Sequence, residues 1–167
     1  NSKQLIGNGL VIPAGPLRER FGSIFRADCI IINGTRNIEF ENMILQNIKK
    51  KIHIFYSNYK IKNLEKFKNK EITAFAGIGN PSNFFDLLIE NNLNLKEKFS
   101  FPDHHNYSNN DFEKILKNKS RTIITTEKDF YRLNDAQKEN CYCVEVDLEI
   151  EKIEKFKELI QANIWKS

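Results

Sequence analysis

The stretch Ile72–Ala76 (ITAFA), followed by Gly77-Ile78-Gly79-Asn80-Pro81 and a helical segment, constrains this chain most. Five residues, four of them apolar, are too few for a helix and are closed by a glycine-proline turn, so they predict a buried strand. Beyond the turn, Phe84, Phe85, Leu87 and Leu88 form a broad apolar helix face, and Ser82 is the expected N-cap. A buried strand that turns sharply into a helix is the building block of a parallel sheet with right-handed crossovers.

The same alternation continues in both directions. Downstream, Leu95–Phe101 alternates as a strand and runs into Pro102-Asp103-His104-His105, and Asn110 or Asp111 is placed to cap a helix carrying Phe112, Ile115 and Leu116. Thr122–Thr125 predicts another strand, ending in Thr126-Glu127-Lys128-Asp129. Cys141–Val146 predicts a further strand and Glu149–Ile164 a final amphipathic helix. Upstream, residues 7–20 (GNGLVIPAGPLRER) read as a glycine- and proline-rich loop. Ala27–Ile32 reads as a buried strand before the Asn33-Gly34 turn, and Glu39–Lys51 has helical spacing. Ile52, Ile54 and Tyr56 alternate with polar residues and open a candidate two-stranded connector. The fold class is therefore α/β, with a mostly parallel sheet and flanking helices.

Length and composition bound the rest. The 167 residues fit one domain, or a small domain plus a piece of another, and 40% apolar with 29% charged residues is a globular composition. No apolar run approaches the ~20 residues a membrane-spanning helix needs, and no signal-peptide pattern opens the chain. Cys29, Cys141 and Cys143 are odd in number and fit no zinc or disulfide spacing, so the expectation is a reducing, cytoplasmic setting with small buried thiols. Lysine outnumbers arginine 20 to 6, and eight of those lysines lie between Lys49 and Lys70 against Glu65 alone. Such a run is either a solvated face or a surface drawn to an anionic bilayer, each near-surface lysine adding about 1 kcal/mol. No aromatic platform accompanies the lysines, which argues against a nucleic-acid partner.

Ligands of open α/β sheets bind beyond the C-terminal ends of the strands. Three polar clusters fall there: Gly77–Asn80, Asp103–His105 and Thr126–Asp129. The Gly77-x-Gly79 turn either exposes backbone N–H groups to an anion or lets strand and helix pack closely. Asp103 and His104 set a carboxylate beside an imidazole that can move protons near neutral pH, although neighbours on an extended strand point to opposite sides. Glu127, Lys128 and Asp129 offer two acids and a base, or simply a solvated turn. Arg18 and Glu19 either hold a phosphate and a magnesium-bound water or are surface charges. No set of histidines and acids has metal-ligand spacing, so no metal site is assigned.

Residues 7–19 (GNGLVIPAGPLRE), 74–85 (AFAGIGNPSNFF), 101–105 (FPDHH) and 125–129 (TTEKD), in this order, resemble the tetraacyldisaccharide 4'-kinase family, the lipid A 4'-kinases. The resemblance covers essentially the whole chain. It implies transfer of the ATP γ-phosphoryl group, with Mg2+, to the 4'-hydroxyl of a lipid-linked disaccharide phosphate at the inner face of the cytoplasmic membrane. It implies a catalytic role for His104 with Asp103 before it, and nucleotide- or metal-side support from Asn8, Arg18 and Glu19. Glu127, Lys128 and Asp129 are secondary candidates, and His105 is not expected to be essential.

The implied organisation is a remnant of an N-terminal nucleotide-binding lobe (1–51), a lysine-rich linker (52–71) and a C-terminal α/β lobe (72–167). The chain contains no G-x-x-x-x-G-K-[ST] phosphate loop. The expectation is thus a kinase fragment, inactive until a lobe carrying that loop is supplied. Asp103-His104-His105 also resembles the signature of metal-dependent phosphoesterases, whose further aspartates and glycine-rich histidine motif have no counterpart here. The non-enzymatic alternative is an α/β module that docks an anionic membrane or a partner.

Overall fold

The structure is a computed structural model and describes residues 5–48, 50–118 and 120–164. The chain divides into two compact units, Asn1–Asn58 with Leu148–Ser167, and Tyr59–Asp147.

The first unit begins with the loop that ends in a 3-10 turn at Phe21–Arg26, then β1 (Cys29–Asn33) and α1 (Ile38–Asn47). β1 pairs in parallel with β2 (His53–Ile61), in register from Cys29 opposite His53 to Asn33 opposite Ser57. The order of this three-stranded sheet is β1-β2-β7, where β7 is Val146–Ile150. The pairs Glu151 N to Tyr56 O (2.8 Å) and Lys62 N to Glu145 O (2.9 Å) run in opposite directions along the two strands, so β7 is antiparallel to β2. Ile32, Ile44, Ile48, Ile52 and Tyr56 form the core here. Asn37 caps α1 by accepting from Phe40 N (2.9 Å), and Glu41 in its first turn accepts from Tyr56 Oη (2.7 Å) and Arg36 Nε (2.9 Å).

The second unit is the parallel sheet. Its strands are β3 (Glu71–Ala76), β4 (Asn94–Ser100), β5 (Thr122–Thr126) and β6 (Tyr142–Val144), in the order β4-β3-β5-β6 and all parallel. Side chains alternate across the sheet, so Ile72, Ala74, Ala76 and Ile124 face α2 (Pro81–Glu90) through Phe84, Phe85 and Leu88. Phe75 and Ile123 face the other way, against Phe112 and Ile115 of α3 (Asn109–Ile115) and Leu133. Both faces are covered, which explains why β3 alternates in direction yet not in polarity. Phe75 is wholly buried between Tyr107 and Phe112, with edge-on ring contacts at 5.1 and 5.7 Å. Two short helices, α4 (Glu127–Phe130) and α5 (Asp135–Lys138), complete the unit before β6. The last helix, α6 (Ile153–Ile164), belongs to the first unit.

Several local expectations need correction. The N-cap of α2 is Asn80 with Pro81 at the first helical position, and Ser82 instead donates its hydroxyl to Asn80 Oδ1 (2.7 Å). The cap of α3 is Ser108, which forms a reciprocal capping box with Asp111 and outcompetes the later polar residues. Residues expected to open the final helix at Glu149 are in β7, because Val146–Ile150 finds an unpaired strand edge in β2. The second strand of the expected connector thus comes from this distant segment, and 52–71 holds β2, a 3-10 turn at Leu64–Lys66 and the start of β3. Of the thiols, Cys141 alone is buried; Cys29 and Cys143 are half-buried. The lysine-rich run is partly neutralised on the surface, by Lys50 with Asp28 (3.3 Å), Lys62 with Asp147 (3.6 Å) and Lys66 with Glu145 (4.0 Å). Lys49 lies outside the described residues.

Candidate functional site

The chain passes from β3 to β4 on one side and then crosses back to β5 on the other. Neighbouring strands whose connections leave in opposite directions open a crevice at their C-terminal ends, where α/β folds place ligands. Gly77 sits in that crevice at the end of β3. Its N–H donates to Asp129 Oδ2 (3.0 Å), and its carbonyl accepts from His104 N (3.2 Å) and Arg132 Nη1 (3.4 Å). One residue, through the two peptide groups that flank it, therefore gathers the segments that follow β3, β4 and β5.

The glycine is required by space. A Cβ at residue 77 would lie 2.8 Å from Tyr107 Oη, 3.1 Å from Pro102 O and 3.3 Å from Asp129 Oδ1. The close approach at Gly77 is to the loop after β4 and to Asp129, not the strand-to-helix packing that one reading of the turn foresaw. At Gly79 a Cβ would meet only Asp103 Oδ2, at an ordinary 3.7 Å.

Asp129 is fully buried, so of the two readings of this cluster the solvated turn does not hold at that residue. Besides Gly77 N, its Oδ2 accepts from Thr126 Oγ1 (2.7 Å), while Asp129 N donates back to Thr126 Oγ1 (3.1 Å), closing the N-terminal turn of α4. Arg132 Nη1 stands 3.6 Å from Oδ1. A buried carboxylate held by a backbone N–H, a hydroxyl and a guanidinium is a structural latch. Burial, then the Asp129 carboxylate beside it, push the Tyr107 phenol above its ordinary value.

Asp103 and His104 lie on the open side of this latch. His104 is beyond the end of β4, in a left-handed conformation (φ 62°), so the opposite-sides rule for extended neighbours does not apply. Asp103 Oδ1 accepts from His104 N (3.0 Å) and from Lys128 Nζ (3.2 Å). That lysine holds the Asp103 carboxyl below the ordinary carboxylate range. Asp103 Oδ2 is 3.8 Å from His104 Nε2, beyond hydrogen-bond range, in keeping with the reading that a carboxylate for this ring would come from elsewhere. The ring is instead met at Nδ1 by Arg132 Nη2 (2.6 Å). His105 turns inward, stacks on Phe101 (4.7 Å) and lies 3.1 Å from Asp111 Oδ2. Asp103, His104 and His105 thus go to three different partners, and among the described residues no cluster of three histidines, cysteines or acids could hold a metal.

The structure brings together Asp103, His104, Lys128 and Asp129. Glu127 and Lys128 also line an apolar groove of about 460 Å³ with Ile78, Phe84, Leu87 and Val144. Asn8, Arg18 and Glu19 are in the other unit. Asn8 shapes its own loop, accepting from Leu10 N (3.1 Å) and donating to Ala14 O (2.8 Å). Arg18 and Glu19 are exposed, and Glu19 pairs with Arg26. Arg132 and Tyr107 escaped the sequence reading. Arg132 stands three residues after Asp129, the spacing of an ion pair on a helix, and that was the available signal.

Comparison with known proteins matches the family described as Tetraacyldisaccharide-1-P 4'-kinase over residues 1–164. The tetraacyldisaccharide 4'-kinase of Pelagibacter ubique (strain HTCC1062) is 36% identical over 157 residues, covering 90% of this chain and 49% of that protein. Those of Rickettsia akari (strain Hartford) and Rickettsia felis (strain ATCC VR-1525 / URRWXCal2) are 38% and 37% identical over 156 and 154 residues, each covering 90% of this chain and 46% of the relative. The chain spans about half the length of the curated relatives it matches. No solved structure matches it significantly. The four ordered motifs and the match from end to end lead to one conclusion: the chain belongs to the tetraacyldisaccharide-1-phosphate 4'-kinase family.

Proposed function

We propose that this chain is the His104-bearing part of an ATP-dependent kinase acting on the 4'-hydroxyl of a tetraacyldisaccharide 1-phosphate in lipid A biosynthesis. The observation that carries the reading is the Asp103–His104–Lys128 cluster, mounted on Gly77 at the strand switch of a chain in this family. Phosphoryl transfer depends on positioning and on neutralising charge, with little covalent chemistry for the protein to do. Lys128 and Arg132 supply cations there, Arg132 set by the latch and Lys128 paired with Asp103.

ATP and Mg2+ belong to this reading, but the residues present do not fit them as a complete site. The sequence has no glycine-rich loop with its lysine, and the described residues hold no metal cluster. The phosphates and the metal are accordingly assigned to residues beyond this chain, and Asn8, Arg18 and Glu19 are proposed only to support them.

The test joins the chain to the half of the Pelagibacter relative that it does not cover and follows phosphate transfer to the disaccharide. Transfer is expected in the joined protein, none in the chain alone, and a loss of about 10²-fold with His104→Ala. Undiminished transfer by His104→Ala removes the catalytic assignment. Attachment to the inner face of the cytoplasmic membrane is part of the proposal, because the acceptor is a lipid. Salt-sensitive sedimentation with anionic vesicles supports it, and absence of binding removes it. Vesicle binding without any transfer would favour the non-catalytic module instead.

A further inference from the structure

The sequence sets a carboxylate beside His104, but its ring is held by a guanidinium. We propose that Arg132 is the positioning residue of this site, holding His104 by Nδ1 in the tautomer that carries its proton on Nε2. The inference deepens the kinase reading and rests on it only for what Nε2 meets.

A guanidinium has five N–H donors and no acceptor. At 2.6 Å from Arg132 Nη2, His104 Nδ1 must therefore be the acceptor, and the single proton of the neutral ring sits on Nε2. Arg132 is itself fixed. Its side chain is only 21% exposed, with Nη1 at 3.4 Å from Gly77 O and 3.6 Å from Asp129 Oδ1. Asp129 in turn is immobilised by Gly77 N and Thr126 Oγ1. A planar fork anchored at one end presents its other end in one direction, at little further entropy cost.

The backbone of His104 hangs from the same place, through its N–H to Gly77 O. Ring and main chain of one residue are thus referenced to a single peptide group. Asp103 does not compete for the ring, since its Oδ1 is taken by Lys128 and its Oδ2 is beyond hydrogen-bond range of Nε2.

The chemical consequence is specific. A histidine held this way offers a donor on its exposed edge, suited to an anionic oxygen of a carboxylate or a phosphate. It does not accept a proton from a hydroxyl at Nε2 while Arg132 occupies Nδ1. The base that deprotonates a sugar hydroxyl must then come from another group, and His104 serves by orienting or stabilising charge.

The experiment uses this chain labelled with 15N in its histidines, with long-range proton–nitrogen spectra recorded at neutral pH. His104 is expected as a single Nε2–H form. In Arg132→Met it should change to the averaged pattern of two exchanging tautomers, while His105, partnered by Asp111, stays unchanged as an internal control. Arg132→Lys keeps the charge without the fork and should fall between the two. If Arg132→Met fails to fold, the lysine variant carries the comparison, the Gly77 amide signal reporting an intact sheet. A wild-type His104 that already averages, or that carries its proton on Nδ1, overturns the inference. In the joined kinase, Arg132→Met should lower kcat about tenfold with KM unchanged. A locked tautomer in a joined protein that transfers no phosphate leaves this inference standing and removes the kinase reading.

Discussion

The loop Gly7–Glu19 and the loops gathered on Gly77 are made of the same materials: glycines, a proline or two, an arginine, acids. They are held in different ways. In the first, the hydrogen bonds of Asn8 reach only Leu10 and Ala14, and the charged tip of Arg18 and Glu19 is exposed. In the second, the partners lie far apart in sequence, Gly77 with Asp129 across 52 residues and His104 with Arg132 across 28. A loop tied to itself has a defined shape without a defined address. A loop tied to the ends of three strands inherits its address from the sheet.

The contrast can be broken most sharply at Asp129. Replacing it with alanine strands the Gly77 N–H, the Thr126 hydroxyl and the Arg132 cation together, and should cost about 3–5 kcal/mol in urea unfolding. Next comes Gly77→Ala, whose methyl group must displace Tyr107 Oη or the Pro102 carbonyl. It should cost about 1–3 kcal/mol and shift the amide signals of His104 and Arg132.

A smaller effect is expected at the edge of the cluster. Asp111 is held at about 2 by the Ser108 hydroxyl and N–H, and after them by His105. A carboxyl with a lowered folded-state pKa stabilises the protein above its unfolded pKa, and that stabilisation is lost as pH falls. Between roughly pH 4 and pH 2 the wild type should therefore lose stability that Asp111→Asn does not have to lose. Chemical unfolding at pH 5 and pH 2.5 on both proteins checks the sign. The smallest effect belongs to the self-tied loop: Glu19→Gln should change stability by no more than about 0.5 kcal/mol, because it removes only an exposed pair with Arg26. A large loss there would mean that this loop is anchored after all.

The sheet of the second unit was legible because burial on both faces leaves a trace, the run of Ile72–Ala76 in which only Thr73 is polar. β7 was not, since Val146–Ile150 carries two exposed acids and an apolar spacing that continues into α6. The alternation of Val146, Leu148 and Ile150 with Asp147 and Glu149 was its strand signal, and what settles it is β2, a neighbour more than 80 residues away. The site was half legible for a related reason. Asp103, His104 and Lys128 stand in strand-end clusters that polarity alone picks out. The grip of Arg132 on His104 depends on a left-handed turn and a buried acid, and neither can be read from residue types.

The first unit is assembled from both ends of the chain, with Tyr59–Asp147 inserted between its two parts. That order has a consequence in time. A chain emerging from the ribosome completes the inserted parallel sheet while β2 still has one open edge and α6 is unmade. The inserted unit can therefore close its core during synthesis, whereas the unit around it must wait for residues beyond Asp147 to emerge. Until then β2 lacks its third strand, and an open strand edge is a surface on which another chain can pair.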